Sequence, residues 1–530
     1  MRRTFALALA CAVLLLPGNA AAVGAPATDF PQQTANPPVS VPGTPSCTET
    51  VVTHDFQNSY YAPGTGTHTP PKSCPAPWSK IVLTLTASVS GTQFDRLVDV
   101  YVGHVPVLSS STSEPCCAPG SVVHWTVRKD VTEYASLLQQ TQPVTVFLNN
   151  VWIAGQYTGI YHVTVGLDFY RTATGVAEGA HPDRVLPVTN FQDSGADGYF
   201  SLGRAGQQGA TPVTFPRNLR RLTAELFAQG HGPCEEFWWG DPNMCAGTPY
   251  REVAIYLDGA LAGAAPVYPV VFTGANGPGL WEPIPSPRAW DLRPSVVDLS
   301  PFVGKLVDGA PHVVSLGVFD ATYASGDYWL VGANLLAWTD ARSKQTSGKL
   351  ISASAPPTPT ETSGYDPSGN AVYSFSAHHA LRWEGVVKTA SGSFLSTVTE
   401  DISATTSEPG LAVQSAWDWR SSTSGGDGAG SFESRFSLTN SSPGSFQFED
   451  AGSATRSGPT PSWSRFDEQM TTAAVGLAAN GAERETYTAS DSSGLCYDRT
   501  LTAAGGTIVQ DQSGANCPAA PASGSRSRLI

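Results

Sequence analysis

Charge is scarce in this chain: Asp, Glu, Lys and Arg make up only 14% of its 530 residues. Basic residues are the fewer, 30 Lys and Arg against 44 Asp and Glu, and the formal net charge of -14 argues against nucleic acid or an anionic membrane surface as a partner. After the N-terminal segment, no stretch is long and apolar enough to cross a bilayer as a helix. No CxxC pair or histidine cluster accompanies the cysteines, which argues against a zinc site. GxSxG, HExxH and P-loop patterns are all missing, so attention moves from the common nucleophile and nucleotide signatures to carboxylates.

What is present is glycine (52) and proline (42), a composition that suits short strands joined by many turns. Residues 1–22 have the three parts of a secretory signal: Arg2 and Arg3, an apolar run from Phe5 to Leu16, and small residues Ala20 to Ala22. Cys11 falls inside that run. The remaining eight of nine cysteines then belong to a chain bound for an oxidising compartment, where disulfides are the default. Nearness in sequence pairs Cys47 with Cys74, Cys234 with Cys245 and Cys496 with Cys517. For Cys116 and Cys117 a strained bond between neighbours, a free pair and exchange with another cysteine all stay open.

The organisation expected is all-β. Residues 23–46, rich in Pro, Thr and Ala, read as a disordered linker. From 47 to 175, runs such as Tyr161-His162-Val163-Thr164-Val165-Gly166-Leu167-Asp168-Phe169 alternate polar and apolar residues, the mark of a strand with one buried face. Val131 to Gln139 is the one short helix expected. A block of similar length and pattern fills 176–350, with Asp258-Gly259 as a hairpin turn. Two tandem jelly-roll β-sandwiches are therefore expected. A linker at 351–364, a third β-rich domain at 365–518 and a disordered tail at 519–530 complete the chain.

Three segments stand out for chemistry. Asp95-Arg96 stands at the entry to a strand, where an acid beside a groove can act as base or nucleophile, although such pairs are more often surface salt bridges. Gly232-Pro233-Cys234-Glu235-Glu236-Phe237-Trp238-Trp239 sets two acids and three aromatics in a loop bracketed by Cys234 and Cys245. Its alternatives are a sugar-stacking surface and a Trp-filled core edge with solvated acids. Residues 279–290 form a proline-stiffened loop with Trp281, Arg288 and Trp290, in which an Arg orients a carboxylate or binds an amide oxygen, or is purely structural. His378-His379 lies in a strand, so the rings point to opposite faces and cannot share a metal.

In this order and on two β blocks, these segments resemble the peptide:N-glycosidase A family. The resemblance covers roughly Cys47 to Leu350. It rests on Gln93-Phe94-Asp95-Arg96, Trp125-Thr126-Val127 with Lys129-Asp130, Tyr157-Thr158-Gly159-Ile160-Tyr161-His162-Val163, Glu236-Phe237-Trp238, Arg251-Glu252-Val253, Leu257-Asp258-Gly259, Val271-Phe272-Thr273-Gly274 and Leu280-Trp281. The C-terminal part matches less well, mainly through Cys496 and Cys517. The family looks like a distant relation of a bacterial glycoamidase, PNGase F.

That resemblance implies two jelly rolls with the site in the groove between them. It implies Asp95 as general base or nucleophile, Glu236 rather than Glu235 as the supporting acid, and Arg288 as the group that orients Asp95 or polarises the carbonyl. Arg96, Trp152, Trp238, Trp281 and Trp290 are implied in substrate binding. Where the bacterial relative has a second Glu, Asn149 or Asn150 stands here, and an amide binds rather than exchanges protons. The implied reaction is hydrolysis of the β-amide of glycosylated asparagine, releasing the N-glycan. No cofactor or metal, no nucleic acid, no membrane anchor and a monomer acting on N-glycosylated peptides or proteins are expected. A glycoside hydrolase cutting within the glycan and a carbohydrate-binding protein are the competing readings.

Overall fold

The computed structural model describes residues 29–44, 46–115, 122–171, 181–191, 198–235, 237–240, 245, 247–274, 283–320, 326–365, 372–408, 412–425, 429–442, 445–457, 466–475, 482–491, 496–504 and 507–514. The signal segment, Cys116, Cys117, Glu236, Trp281, Cys517 and the 519–530 tail lie outside them.

Alternation of apolar residues closes the first sandwich. One sheet runs, in spatial order, Asp29–Pro31, Val122–Asp130, Trp78–Ser90, Ile160–Arg171, Ser46–Phe56, and the other Gly64–His68, Gln142–Leu148, Leu97–Val102, Val105–Ser111. Their inward residues, among them Ile81, Leu83, Leu85, Val98, Val100, Val163, Val165 and Leu167, form one core. The expected helix appears as a 3-10 turn, Thr132–Tyr134, running into one α turn, Ala135–Leu138.

The second sandwich pairs Arg184–Val188, Tyr328–Thr339, Leu219–His231 and Ser295–Asp298 against Gly209–Thr214, Pro311–Phe319, Glu252–Leu257 and Ala260–Pro266. Strand Tyr328–Thr339 faces two ways. Val331, Ala333, Leu335 and Ala337 enter the second core, while Leu336 and Trp338 enter the first. Because side chains alternate across a strand, one element thus glues the two sandwiches back to back. The hairpin at Asp258-Gly259 forms with φ of 50° and 81°, the positive pair that a tight two-residue turn needs.

The rest is a single eleven-stranded antiparallel sheet, beginning at Ser347–Ser354 and ending at Thr507–Ser513, whose long strands follow one another in space as in sequence. Strand Tyr373–Thr389 alternates buried and exposed residues along its length. The buried side, with Phe375, Trp383, Trp417 and Phe436, joins the second core. Packing there is close enough to require glycine: a Cβ on Gly385 would stand 2.0 Å from the Pro301 carbonyl oxygen. The all-β expectation is met, with two sandwiches and a β-rich C-terminal part.

Two expected unstructured stretches are built into sheets instead. Within 23–46, Asp29–Pro31 pairs in parallel with Val122–Asp130, and the Ala35 amide donates to buried Glu485. Within 351–364, the end of Ser347–Ser354 and the start of Thr360–Tyr365 both pair with Tyr373–Thr389. Both segments lack an apolar period because they gain order from a partner strand's backbone, not from a buried face of their own.

Candidate active site

The segment before strand Leu97–Val102 is locked by its own side chains. Gln93 is buried, donating to the Val151 carbonyl at 2.9 Å and accepting from the Arg96 guanidinium at 2.9 Å and the Phe94 amide at 3.1 Å. Tyr161 donates its hydroxyl to the Phe94 carbonyl. Arg96 is tied to Thr112 in both directions, its amide to Thr112 Oγ1 at 2.8 Å and the Thr112 amide to its carbonyl at 2.7 Å. Asp95 is thereby held at the junction of the two sandwiches.

Its carboxylate is met from the second sandwich. Asp95 Oδ2 accepts from Thr273 Oγ1 at 3.2 Å and from the Gly274 amide at 3.3 Å. These donors and the Arg96 charge favour the ionised form, yet removal from water outweighs them and pushes the Asp95 pKa up to about 6. A carboxylate so poised is ionised near neutral pH and still basic enough to take a proton from water.

Opposite lies the loop closed by the disulfide Cys234–Cys245, with Cα atoms 5.7 Å apart. Gly232 starts it at φ +102°, and a Cβ there would stand 2.7 Å from the Gly326 carbonyl oxygen. The Gly232 amide donates to Glu235 Oε2 at 3.2 Å, and the Cys234 amide to Asp327 Oδ1 at 3.1 Å. Burial first, helped by the charges of Asp95 and Asp327, pushes Glu235 up to about 7 against the opposing Gly232 amide and, more weakly, Arg96. His231 lies with Nδ1 3.8 Å from Glu235 Oε2, stacked on Tyr328 at 5.1 Å between ring centroids. Burial pushes this imidazole down to about 4, which keeps it neutral.

Exposed aromatics neighbour both acids in sequence. Phe94 is 48% and Phe237 40% exposed. Phe94 leans on Tyr157 at 5.3 Å, and half-buried Trp152 donates Nε1–H to the Thr158 carbonyl at 3.1 Å on the same loop.

The other residues expected at the site part company with it. Trp238 is core, packed near Trp329 and Trp417 at 6.0 and 6.3 Å, so the loop's tryptophans point inward and leave Phe237 outside. Asn150 is fully buried, and its Nδ2 staples loops together by donating to the carbonyls of Phe56, Gln57 and Gly159. Asn149 is half-buried. Trp290 packs on the first core. Arg288 does not reach Asp95: its guanidinium makes a two-point pair with Asp450 of the C-terminal sheet at 2.5 and 2.7 Å and lies 4.4 Å from the Tyr268 ring centroid. Cys47–Cys74 forms as expected, and Cys496 is disulfide-bonded. Among the described residues no group of three or more His, Cys, Asp or Glu is arranged to hold a metal.

Sequence reasoning assigned no role to Thr273, Gly274, His231 or Asp327. The first two were visible only as Val271-Phe272-Thr273-Gly274, a loop with no chemical signature of its own. Glu235 was visible as an acid three residues after a glycine, the spacing at which a turn amide reaches back to a carboxylate.

The family model for Peptide N-acetyl-beta-D-glucosaminyl asparaginase amidase A matches residues 31–356, which include both sandwiches and this site. The chain belongs to that family. Among relatives, it is 35% identical over 345 residues to the Peptide-N4-(N-acetyl-beta-glucosaminyl)asparagine amidase A of Prunus dulcis, covering 60% of this chain and 59% of the relative's length. The solved structure of PNGase F, a glycosylasparaginase from Flavobacterium meningosepticum, is similar with 16% identity and a TM-score of 0.38, covering 56% of this chain and 96% of that one. PNGF-II is similar with 15% identity and a TM-score of 0.40, covering 55% and 66%. Most of the C-terminal sheet, including Asp450, lies beyond the stretch matched by the amidase A family.

Proposed function

We propose that the protein is a secreted glycoamidase that hydrolyses the β-amide joining N-acetylglucosamine to asparagine in N-glycosylated peptides or proteins, leaving aspartate and releasing the glycan as a glycosylamine. The observation that carries this reading is Asp95 at the seam of two sandwiches, partly shielded from water, held by Thr273 and Gly274, with a second raised carboxyl in the facing loop. Amide hydrolysis needs a base for water, donors for the oxyanion and a proton for the leaving nitrogen. Asp95 supplies the base. Arg96, whose Nε–H is buried without a hydrogen-bond partner in the described structure, supplies a donor for the developing oxyanion. The exposed face of Phe94, with Tyr157 and Trp152 beside it, supplies apolar surface for a sugar ring. Export agrees with the disulfides Cys47–Cys74 and Cys234–Cys245 and with a substrate class met mainly outside the cell.

The test is mass spectrometry of a treated N-glycopeptide. Conversion of the glycosylated Asn to Asp is expected. An Asn still carrying N-acetylglucosamine would show cleavage within the glycan and refute the reading, and an untouched glycopeptide that stays bound would mark a carbohydrate-binding protein.

A further inference from the structure

We propose that Thr273 is the positioning residue of the base: its one hydroxyl proton is contested by the Asp95 carboxylate and the Thr112 carbonyl, and it turns from one to the other as Asp95 gains and loses charge. This rests on the glycoamidase reading above. Thr273 is fully buried, and its main chain is fixed, since its carbonyl accepts from the Ser286 amide at 2.8 Å and from the Ser286 hydroxyl at 2.7 Å. Its Oγ1 stands 3.2 Å from Asp95 Oδ2 and 2.9 Å from the Thr112 carbonyl oxygen. A hydroxyl has a single proton to give, so these two contacts compete.

Charge decides the competition. While Asp95 is ionised, its carboxylate is the stronger acceptor and draws the proton despite the longer distance. The Thr112 carbonyl is not stripped bare by this, because the Ser111 hydroxyl also donates to it at 3.3 Å. Once Asp95 is neutral, Oδ2 is an ordinary acceptor that still holds the Gly274 amide, and the shorter contact to Thr112 wins. Thr112 is in turn bonded twice to the Arg96 main chain, so the second acceptor sits on the residue that pins the neighbour of the base.

Thr273 and Gly274 both grip Oδ2, so Oδ1 is the oxygen that takes the proton. That proton comes from the O–H bond of the attacking water, whose oxygen bonds to the β-carbonyl carbon of the substrate Asn. Thr273 keeps its own proton throughout, and only its direction changes. Return of the Asp95 proton to solvent turns the hydroxyl back. The other groups facing Asp95 are Arg96 beside it, Tyr161 from strand Ile160–Arg171 and Glu235 from the disulfide-closed loop. Arg96 favours the ionised form, an ionised Glu235 opposes it, and Tyr161, which burial holds well above its usual range, stays neutral. Of the groups named, the Thr273 hydroxyl is the one with a second acceptor to turn to.

The test follows glycan release from an N-glycopeptide by the full chain between about pH 4 and 9, for the wild type, T273V and T273S, with melting temperatures alongside. T273V keeps the branched shape without the hydroxyl, and T273S keeps the hydroxyl. In the wild type the acid limb of kcat/KM is expected near pH 6, where Asp95 loses its proton. Removing a donor to the ionised form makes Asp95 harder to ionise, so T273V should move that limb to higher pH by about one unit, while T273S should leave it within about 0.3 of a unit of wild type. A limb that stays in place in T273V, or that moves as far in T273S as in T273V, would overturn the assignment, whatever either change does to stability. Should T273V melt early, each rate is divided by the folded fraction measured at the same pH, and the same outcomes decide. Failure of the glycoamidase reading looks different, since the wild type would then leave the glycosylated Asn intact.

Discussion

Arg288 and Asp450, 162 residues apart, meet through two hydrogen bonds of 2.5 and 2.7 Å, with the Asp450 side chain 3% exposed. Arg288 holds the loop after the site against the C-terminal sheet.

Breaking this pair from one side leaves a charge stranded in the interior. Asp450→Asn is expected to destabilise the protein by about 3–5 kcal/mol, and Arg288→Met combined with Asp450→Leu by clearly less, because the double change strands nothing. Urea or thermal unfolding measures both. Glycan release by the folded fraction of Asp450→Asn should stay close to wild type, and a deep loss in kcat would return Arg288 to the chemistry.

Asp95 ties activity to stability in opposite senses. Its folded pKa is about 6, above the ordinary 3.8, so between those values the folded chain binds the extra proton and stability falls as pH rises. Above about pH 6 the whole penalty is present, about 2–3 kcal/mol. Asp95→Asn should therefore abolish glycan release while raising stability at pH 7 by that order, a gain that fades below about pH 4. Equal stability of variant and wild type at every pH would contradict the origin given for the shift.

The Cys234–Cys245 bridge closes a short loop, and removing it by Cys→Ser at both positions is expected to cost about 2–3 kcal/mol. Trp238 and Trp239 still anchor the loop in the core, so the fold should survive while Glu235 loses its fixed seat. Kinetics should show a fall in kcat of about tenfold or more at 25 °C, from misplacement of a catalytic group. Full activity without the bridge would sever the link between oxidation and the site.

Phe94 presents nearly half of its surface to solvent beside Asp95. Phe94→Ala should raise KM about tenfold, with unfolding free energy changed by less than about 0.5 kcal/mol, since little buried area is lost. A destabilised variant with unchanged KM would make the ring structural.

Much of the architecture could be read from pattern. The alternating residues 161–169 form the middle of strand Ile160–Arg171, and Asp258-Gly259 makes its hairpin, because both signals are local. His378 faces Asp401 on the exposed side while His379 is buried against Glu252, as strand alternation requires. What pattern could not supply was the choice between equivalent neighbours. An aromatic cluster reads the same whether its rings fill a core, as Trp238 does, or stay exposed, as Phe237 does. The pairing of Arg288 with Asp450 was not legible, because the partner lies in a strand of another sheet, at a separation no local rule spans.

The Ala35 amide donates to Glu485, 450 residues later, and Arg499 reaches back to Gln33 and Thr34. The same segment begins as a strand laid against the first sandwich. Residues 29–35 are thus a clasp between the first sandwich and the last strands of the C-terminal sheet, and its second half can close only once those strands are present. Contacts of such span form late. A chain lacking its last strands would keep the pairing with Val122–Asp130 and lose only the hold of Glu485 and Arg499 on residues 33–35.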